Sequence, residues 1–359
     1  MLITRNLTKH VVIVISLVSD AQYISVMESC AIVWTVLSVL GIISNIINIR
    51  TFIAMGLADG ITVSFLALAI FDLTYLVCSL SLGISVAFSV FEQKSLTRFQ
   101  IDPYGISIFS GSVMILINET NVLTTTFLAV ARCMCVAKPL QFKNTFTRKR
   151  AIIFMVGFAV FAVVTYSPIL ANMGMRHKFE KLLNKTRPAL WVSPVRESIK
   201  EIIWIINEMF LPFVTQFIII VCVIVMSRSL RAASRFRQSS VAITEKAFDK
   251  HEKNGNIATN DVESEFTEPN SSSDKLTGKD LRVIQQVVLI SAVYIVCNTP
   301  KILISIVTTL EPEFTIGKGY TKLYLCVNGM RMHFEIVNSA VNLIIYYKFN
   351  TKFRTVLGF

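Results

Sequence analysis

Seven long apolar blocks joined by polar segments predict an all-α membrane protein, a seven-transmembrane helix bundle with a short amphipathic C-terminal helix. Three observations carry this expectation: composition, block length and charge placement. Of 359 residues, 53% are hydrophobic and 16% charged, and the mean hydropathy is +0.60, too apolar for an ordinary soluble domain. The blocks lie near 28–52, 60–90, 104–136, 150–173, 201–227, 281–309 and 324–347. Each has the roughly 20 residues that a bilayer core of about 30 Å requires of a helix. One such block would suit a buried soluble helix, but seven in succession argue against that reading.

The formal net charge of +12 is unevenly placed. Counting seven crossings, Arg50, the group Lys138, Lys143, Arg148, Lys149 and Arg150, and the cluster Arg228, Arg231, Arg235 and Arg237 share one side with Lys348, Lys352 and Arg354. Lysine and arginine favour the cytoplasmic side, so the expected topology is a multi-pass plasma-membrane protein with its N-terminus extracellular and its C-terminus cytoplasmic. The outer stretch 176–200 runs against the trend with Arg176, Lys178, Lys181, Lys185, Arg187, Arg196 and Lys200. It reads as a solvated surface or as an attraction for acidic ligands. Because the basic residues border spans rather than one helical face, they do not suggest nucleic acid.

Residues 1–27 form an extracellular N-terminal tail in this reading. Its apolar run His10–Val18, after Arg5 and Lys9, is too short to span and suits either a signal peptide or an ordinary tail. The sequons at Asn6 and Asn184 fall outside the cell, where glycosylation is expected, whereas those at Asn118 and Asn270 should be silent. The bundle occupies 28–347 and includes a cytoplasmic loop, 229–280, too polar to build a core and expected to be disordered. In 348–359, Phe349, Phe353, Val356 and Leu357 recur at helical spacing between basic residues, a pattern suited to a helix lying on the inner leaflet. Seven cysteines show no metal-ligand spacing. Cys30 and Cys326 stand at the outer ends of the first and seventh crossings, where a disulfide and two separate thiols are both open.

Ionisable residues at membrane depth are functional hypotheses by default. Arg132 sits at the inner end of the third crossing, beside Cys133-Met134-Cys135 and ahead of Pro139-Leu140. Asp72 lies in the middle of the second and needs partners there. Asn45, Asn121, Asn338, Ser339 and Asn342 are candidates at similar depth. Asn121 lies eleven residues above Arg132, about 16 Å along a helix. Asp72 and these amides suit either an internal sodium ion or a hydrogen-bond network with no specific ion; no other cofactor and no metal site is expected. Pro168, Pro212 and Pro300 each interrupt a helix. Cys297-Asn298-Thr299-Pro300 places small and polar groups at a bend, giving a hinge at Pro300, Asn298 and Pro212.

Asn45, Asp72, Arg132 with Pro139-Leu140, Pro212, Cys297 with Pro300, and Asn342-Leu343-Ile344-Ile345-Tyr346 with Phe353 together resemble the class A, rhodopsin-like G-protein-coupled receptors, from about residue 28 to the C-terminus. Within that class, Gly56–Leu68 resembles the chemosensory receptors of gastropod molluscs. The resemblance implies G-protein coupling and an activation switch at Arg132, Pro139, Leu140 and Tyr346. The chain departs from the family where Ala131 replaces an acid, Cys133 a tyrosine, Asn298 and Phe158 tryptophans, and Leu343 a proline. Ser107 replaces a third-helix cysteine and 136–221 contains none, so the family's outer disulfide is impossible. With Ala131 unable to hold Arg132, Asp280 at the inner end of the sixth crossing becomes its expected inactive-state partner. A partly solvated pair of this kind contributes about 0–1 kcal/mol.

On the outer side, Glu119, Glu208 and Glu335, with Arg331 and His333, suit a cationic ligand or a zwitterion. Met114 stands where amine receptors of the class carry an aspartate, so the usual amine pose is disfavoured. No lysine lies mid-membrane in the seventh crossing, which excludes a retinal Schiff base. The sequence therefore points to a receptor that couples a small-molecule or peptide ligand to a heterotrimeric G protein across the bilayer. A chemosensory ligand leads, and a neuropeptide receptor is the alternative. A seven-helix transporter or channel using Glu119, Glu208 and Asp72 is a second alternative. No hydrolase, metalloprotease or phosphate-loop motif is present, so an enzyme is not expected.

Overall fold

A computed structural model describes residues 17–95, 97–137, 146–180, 184–229, 231–232 and 278–358. The helices are α1 Asp20–Met55, α2 Gly60–Lys94, α3 Pro103–Ala137 and α4 Arg148–Ala171. A two-stranded antiparallel hairpin follows, β1 Met173–Glu180 with β2 Lys185–Val192. Helix α5 begins as Arg196–Trp204, widens into the π-helical turn Ile205–Phe210 and runs on within the span Ser198–Ser229. The chain closes with α6 Gly278–Leu310, α7 Thr321–Ala340, α8 Asn342–Phe349 and α9 Thr351–Leu357.

Local chemistry sets several helix starts. Ser19 and Gln22 form a reciprocal capping box, so α1 begins eight residues before its apolar block at 28. Asp59 opens α2 by accepting from the N–H groups of Ile61 and Thr62 at 3.0 and 2.8 Å. Among the described residues, six helices are long and apolar enough to cross a membrane. The seventh crossing, α7 continued by α8, is more polar because it carries Lys322, Arg331, His333 and Glu335. It packs against α1, α2 and α6, with Glu335, Gly329 and Ser339 turned inward.

The bundle is apolar outside and small or polar inside. In α1 the buried positions include Ser38, Gly41, Ser44, Asn45 and Asn48, whereas Val36, Val39, Leu40, Ile43 and Ile46 face outward. Lipid solvates the outward face, so helix association rests on close packing and interhelical hydrogen bonds. Ser38 donates to Ser79 of α2 at 2.9 Å. A methyl group at Gly41 would lie 2.8 Å from Leu76 Cδ1, and one at Gly83 would lie 2.6 Å from Thr35 Oγ1. At the inner end Phe52, Phe65, Tyr346 and Phe353 form one aromatic cluster, with ring centroids 5.0–5.9 Å apart. Phe353 thereby anchors α9, whose start is capped by Asn350.

The hairpin amends the all-α expectation, since the basic outer stretch pairs with itself. Arg187 Nη1 binds Glu92 Oε1 of α2 at 2.8 Å and the Phe99 carbonyl at 3.3 Å, and Glu180 lies 3.6 Å from Nη2. Burial alone would loosen the proton on Arg187, but the Glu92 carboxylate, then Asp102 and Glu180, hold the guanidinium more firmly charged than usual. The Asp102 N–H donates to the Pro188 carbonyl at 3.0 Å, which ties the hairpin to the start of α3. These bonds occupy the place where the resembled family has a disulfide. Cys30 and Cys326 are both free, buried thiols.

Candidate functional site

At the inner end of α3, Ala131 is fully buried and Arg132 is half-buried. Pro139, Leu140 and the side chain of Asp280 lie outside the described residues, so the expected Arg132–Asp280 pair does too. Tyr346 is fully buried in the aromatic cluster, and its hydroxyl has no hydrogen-bond partner.

Midway through the bundle, Asn342 Nδ2 donates to Asp72 Oδ2 at 2.8 Å, and the Ser339 side chain lies beside this carboxylate. Asn45 donates to the carbonyls of Ser339 at 2.8 Å and Gly41 at 3.0 Å, and Asn48 donates to Asn45. Four of the expected residues, Asn45, Asp72, Ser339 and Asn342, are thus brought together from helices α1, α2, α7 and α8. Asn121 is buried with neither amide atom bonded, and Asn338 contributes no hydrogen bond among the described residues.

The bend region is tied by side chains rather than left loose. Pro212 has no N–H to give, and the Ser305 hydroxyl of α6 donates to the Glu208 carbonyl four residues before it, at 3.0 Å. Asn298 donates to Gln216 Oε1 at 3.4 Å, and Gln216 Nε2 donates to the Ile295 carbonyl at 3.3 Å. The three residues expected as a hinge therefore sit at a polar seam between α5 and α6. Pro300 lies inside α6 without ending it.

Above this seam lies a charged cleft, lined by Trp204, Glu208, Lys301, Ser305, Tyr324 and Arg331 among others. Glu208 Oε2 is 3.1 Å from Lys301 Nζ, and Lys301 keeps only 4% side-chain exposure. Across the cleft, Arg331 pairs with Glu335 one turn on, and Tyr75 donates to the other Glu335 oxygen at 3.0 Å. Glu119 is buried beside them: Thr165 donates to its Oε2 at 3.3 Å, and Oε1 has no partner. Only Glu208 and Arg331 of the five expected ligand residues line the cleft. Met114 belongs to the buried core cluster that includes Trp34, Tyr75 and Ile336 and does not line the cleft. His333 turns toward the Met330 carbonyl and the Trp34 ring instead.

Lys301 was not among the expected residues, although a lysine next to a mid-helix proline in an apolar block was a sufficient signal. Asn207 had none, because its burial follows from the π-helical turn, which rotates Asn207 inward relative to a regular helix.

Comparison with curated proteins finds no match. The sequence profile described as 7 transmembrane receptor (rhodopsin family) matches residues 57–346, from the loop before α2 into α8. A seven-helix bundle matched by this profile over most of its length, the chain belongs to the rhodopsin family of seven-transmembrane receptors.

Proposed function

We propose that the protein is a plasma-membrane chemosensory receptor that transmits occupancy of the outer cleft to a cytoplasmic heterotrimeric G protein. The observation that carries this reading is the placement of the charged cleft at the α5–α6 seam, where the Glu208–Lys301 pair adjoins the Pro300 bend. A ligand shifts a conformational equilibrium only through different affinities for its two states. Groups that bridge the moving helices supply that difference. The N-terminus faces outward and the α9 end faces the cytoplasm, as the basic residues favour. Arg132, Tyr346, Pro139, Leu140 and Asp280 form the coupling end, and Asp72 with Asn45, Ser339 and Asn342 form an internal site for water or a sodium ion.

A small molecule is favoured over a neuropeptide, because Glu119 and Lys301, the charged groups beside Glu208, are buried within the bundle, and small-ligand sites are enclosed clefts with a few placed polar groups. Asn184 is exposed in the hairpin turn, an accessible position for glycosylation. The direct test is a compound screen in cells carrying promiscuous G proteins, with Arg132→Ala as the control. The expected result is a ligand-evoked response that Arg132→Ala abolishes at unchanged surface expression. A response that survives this substitution, or an ion current that needs no G protein, would overturn the reading.

A further inference from the structure

We propose that Glu119, Glu208 and Asn207 form a recognition site for a small organic amine, whose ammonium replaces Lys301 as the partner of Glu208. The inference rests on the receptor reading and specifies the ligand class at Glu208, which lines the cleft, and at the buried Glu119 and Asn207.

The argument begins with charge. Between α3, α5 and α6, two carboxylates, Glu119 and Glu208, share one ammonium, Lys301. Lys301 bonds Glu208 at 3.1 Å and bears electrostatically on Glu119 as well. Arg196, at the outer start of α5, bears on Tyr166 instead. The neighbouring pair Arg331–Glu335 is already balanced and is further satisfied by Tyr75. The cluster of Glu119, Glu208 and Lys301 therefore holds one more carboxylate than ammonium, with the Lys301 side chain only 4% exposed and Glu119 2%. Buried charge is tolerated when paired and hydrogen-bonded, and this one is neither in full.

The second observation is a set of polar atoms left without partners at the same place. Glu119 Oε1 and Glu208 Oε1 are both buried and unbonded. Asn207, only 1% exposed, faces Glu119 without completing a hydrogen bond, and both its amide atoms are without one. The two carboxylate oxygens and the amide oxygen are acceptors, and Lys301, which bonds Glu208 at 3.1 Å, bears electrostatically on Glu119 as well. An alkylammonium presents three N–H donors and one positive charge, and satisfies this set. A carboxylate ligand would add repulsion, and an alcohol would leave the charge uncompensated.

Occupancy also has a consequence for the helix that carries Lys301. An incoming ammonium competes with Lys301 for Glu208, and Lys301 directly follows Pro300. Loss of the Glu208–Lys301 bond releases one of the ties joining α5 to α6 at the bend, leaving Ser305 to the Glu208 carbonyl and Asn298 to Gln216.

The test uses the full-length chain purified in detergent and reads thermal unfolding, which needs no G protein. The probes are n-butylamine, 1-butanol, butyrate and 4-aminobutyrate at matched concentrations. Butylamine should raise the unfolding temperature of the wild-type protein, whereas butanol and butyrate should not. Glu119→Gln should weaken the amine's apparent affinity at least tenfold. Lys301→Gln, which removes the competing cation, should strengthen it severalfold. No amine effect, an effect of equal size in Glu119→Gln, or a larger effect of 4-aminobutyrate than of butylamine would overturn the proposal. Should Glu119→Gln fail to fold, Lys301→Gln decides: an apparent affinity that is unchanged or weaker overturns the competition. An absent amine effect beside an Arg132-dependent response to some other compound would sink the amine alone and leave the receptor reading standing.

Discussion

Tyr346 and Asp72 show how the same interior treats two polar side chains differently. Asp72 accepts from the Asn342 amide at 2.8 Å, with the Ser339 side chain beside it. Tyr346 is packed at 5.0 Å from Phe52 and 5.3 Å from Phe65, and its hydroxyl is buried without a partner. A buried, unmade hydrogen bond costs about 1–3 kcal/mol. Removing the oxygen should therefore leave the protein as stable or more stable, because no bond is lost and the ring packing is kept. Tyr346→Phe is expected to hold or raise the unfolding temperature while lowering the ligand-evoked response. That combination marks a hydroxyl whose partner appears only in the signalling state. A clear drop in thermal stability would show that the hydroxyl is bonded in the resting protein, contrary to this account.

At the scale of elements, the hairpin is the part held in the least expected way. The hairpin segment Met173–Val192 must be fixed over the bundle without the disulfide that the resembled family uses, and the Arg187–Glu92 pair takes that role. Both side chains keep only 10% exposure, so solvent screens them little. Breaking a buried pair by removing one partner typically costs about 3–5 kcal/mol. The remaining exposure and the nearby Glu180 should bring the cost of Glu92→Gln to the order of 2 kcal/mol. Glu92→Gln should thus lower the unfolding temperature and speed proteolysis between β1 and β2, and the double variant with Arg187→Leu should recover part of the loss. A single variant as resistant as wild type would reduce the pair to a surface contact. The sequence did not disclose this clamp: Glu92 and Arg187 lie 95 positions apart, and only the pairing of β1 with β2 turns Arg187 toward α2. The helices were far more legible, because length and apolarity are local properties. The exception, α7, is read through its polar inward residues rather than its apolarity.

For the whole molecule, the seven crossings and the Asp72 network were legible because membrane depth alone makes a carboxylate or an amide conspicuous. The ligand cluster was legible only in part. Its residues come from three helices, and among them Asn207 and Glu208 lie in the π-helical turn of α5 and Lys301 directly follows Pro300 inside α6, irregularities with no periodic signature. The proposed signalling makes these two irregularities parts of one moving unit. The seam of Ser305, Asn298 and Gln216 bonds ties α6 to α5 on both sides of Pro300. A helix-interior proline removes a backbone bond, at about 3 kcal/mol in a soluble helix. Restoring the N–H with Pro300→Ala should stiffen α6 in its resting course. The expected outcome is a higher unfolding temperature together with a smaller maximal ligand-evoked response. Stabilisation of the detergent-solubilised protein by an activating compound should persist, since the cleft residues are untouched. A Pro300→Ala receptor that signals at full amplitude would show that α6 moves as a rigid rod. The Glu208–Lys301 tie would then have to act on the inner crevice through some route other than the bend.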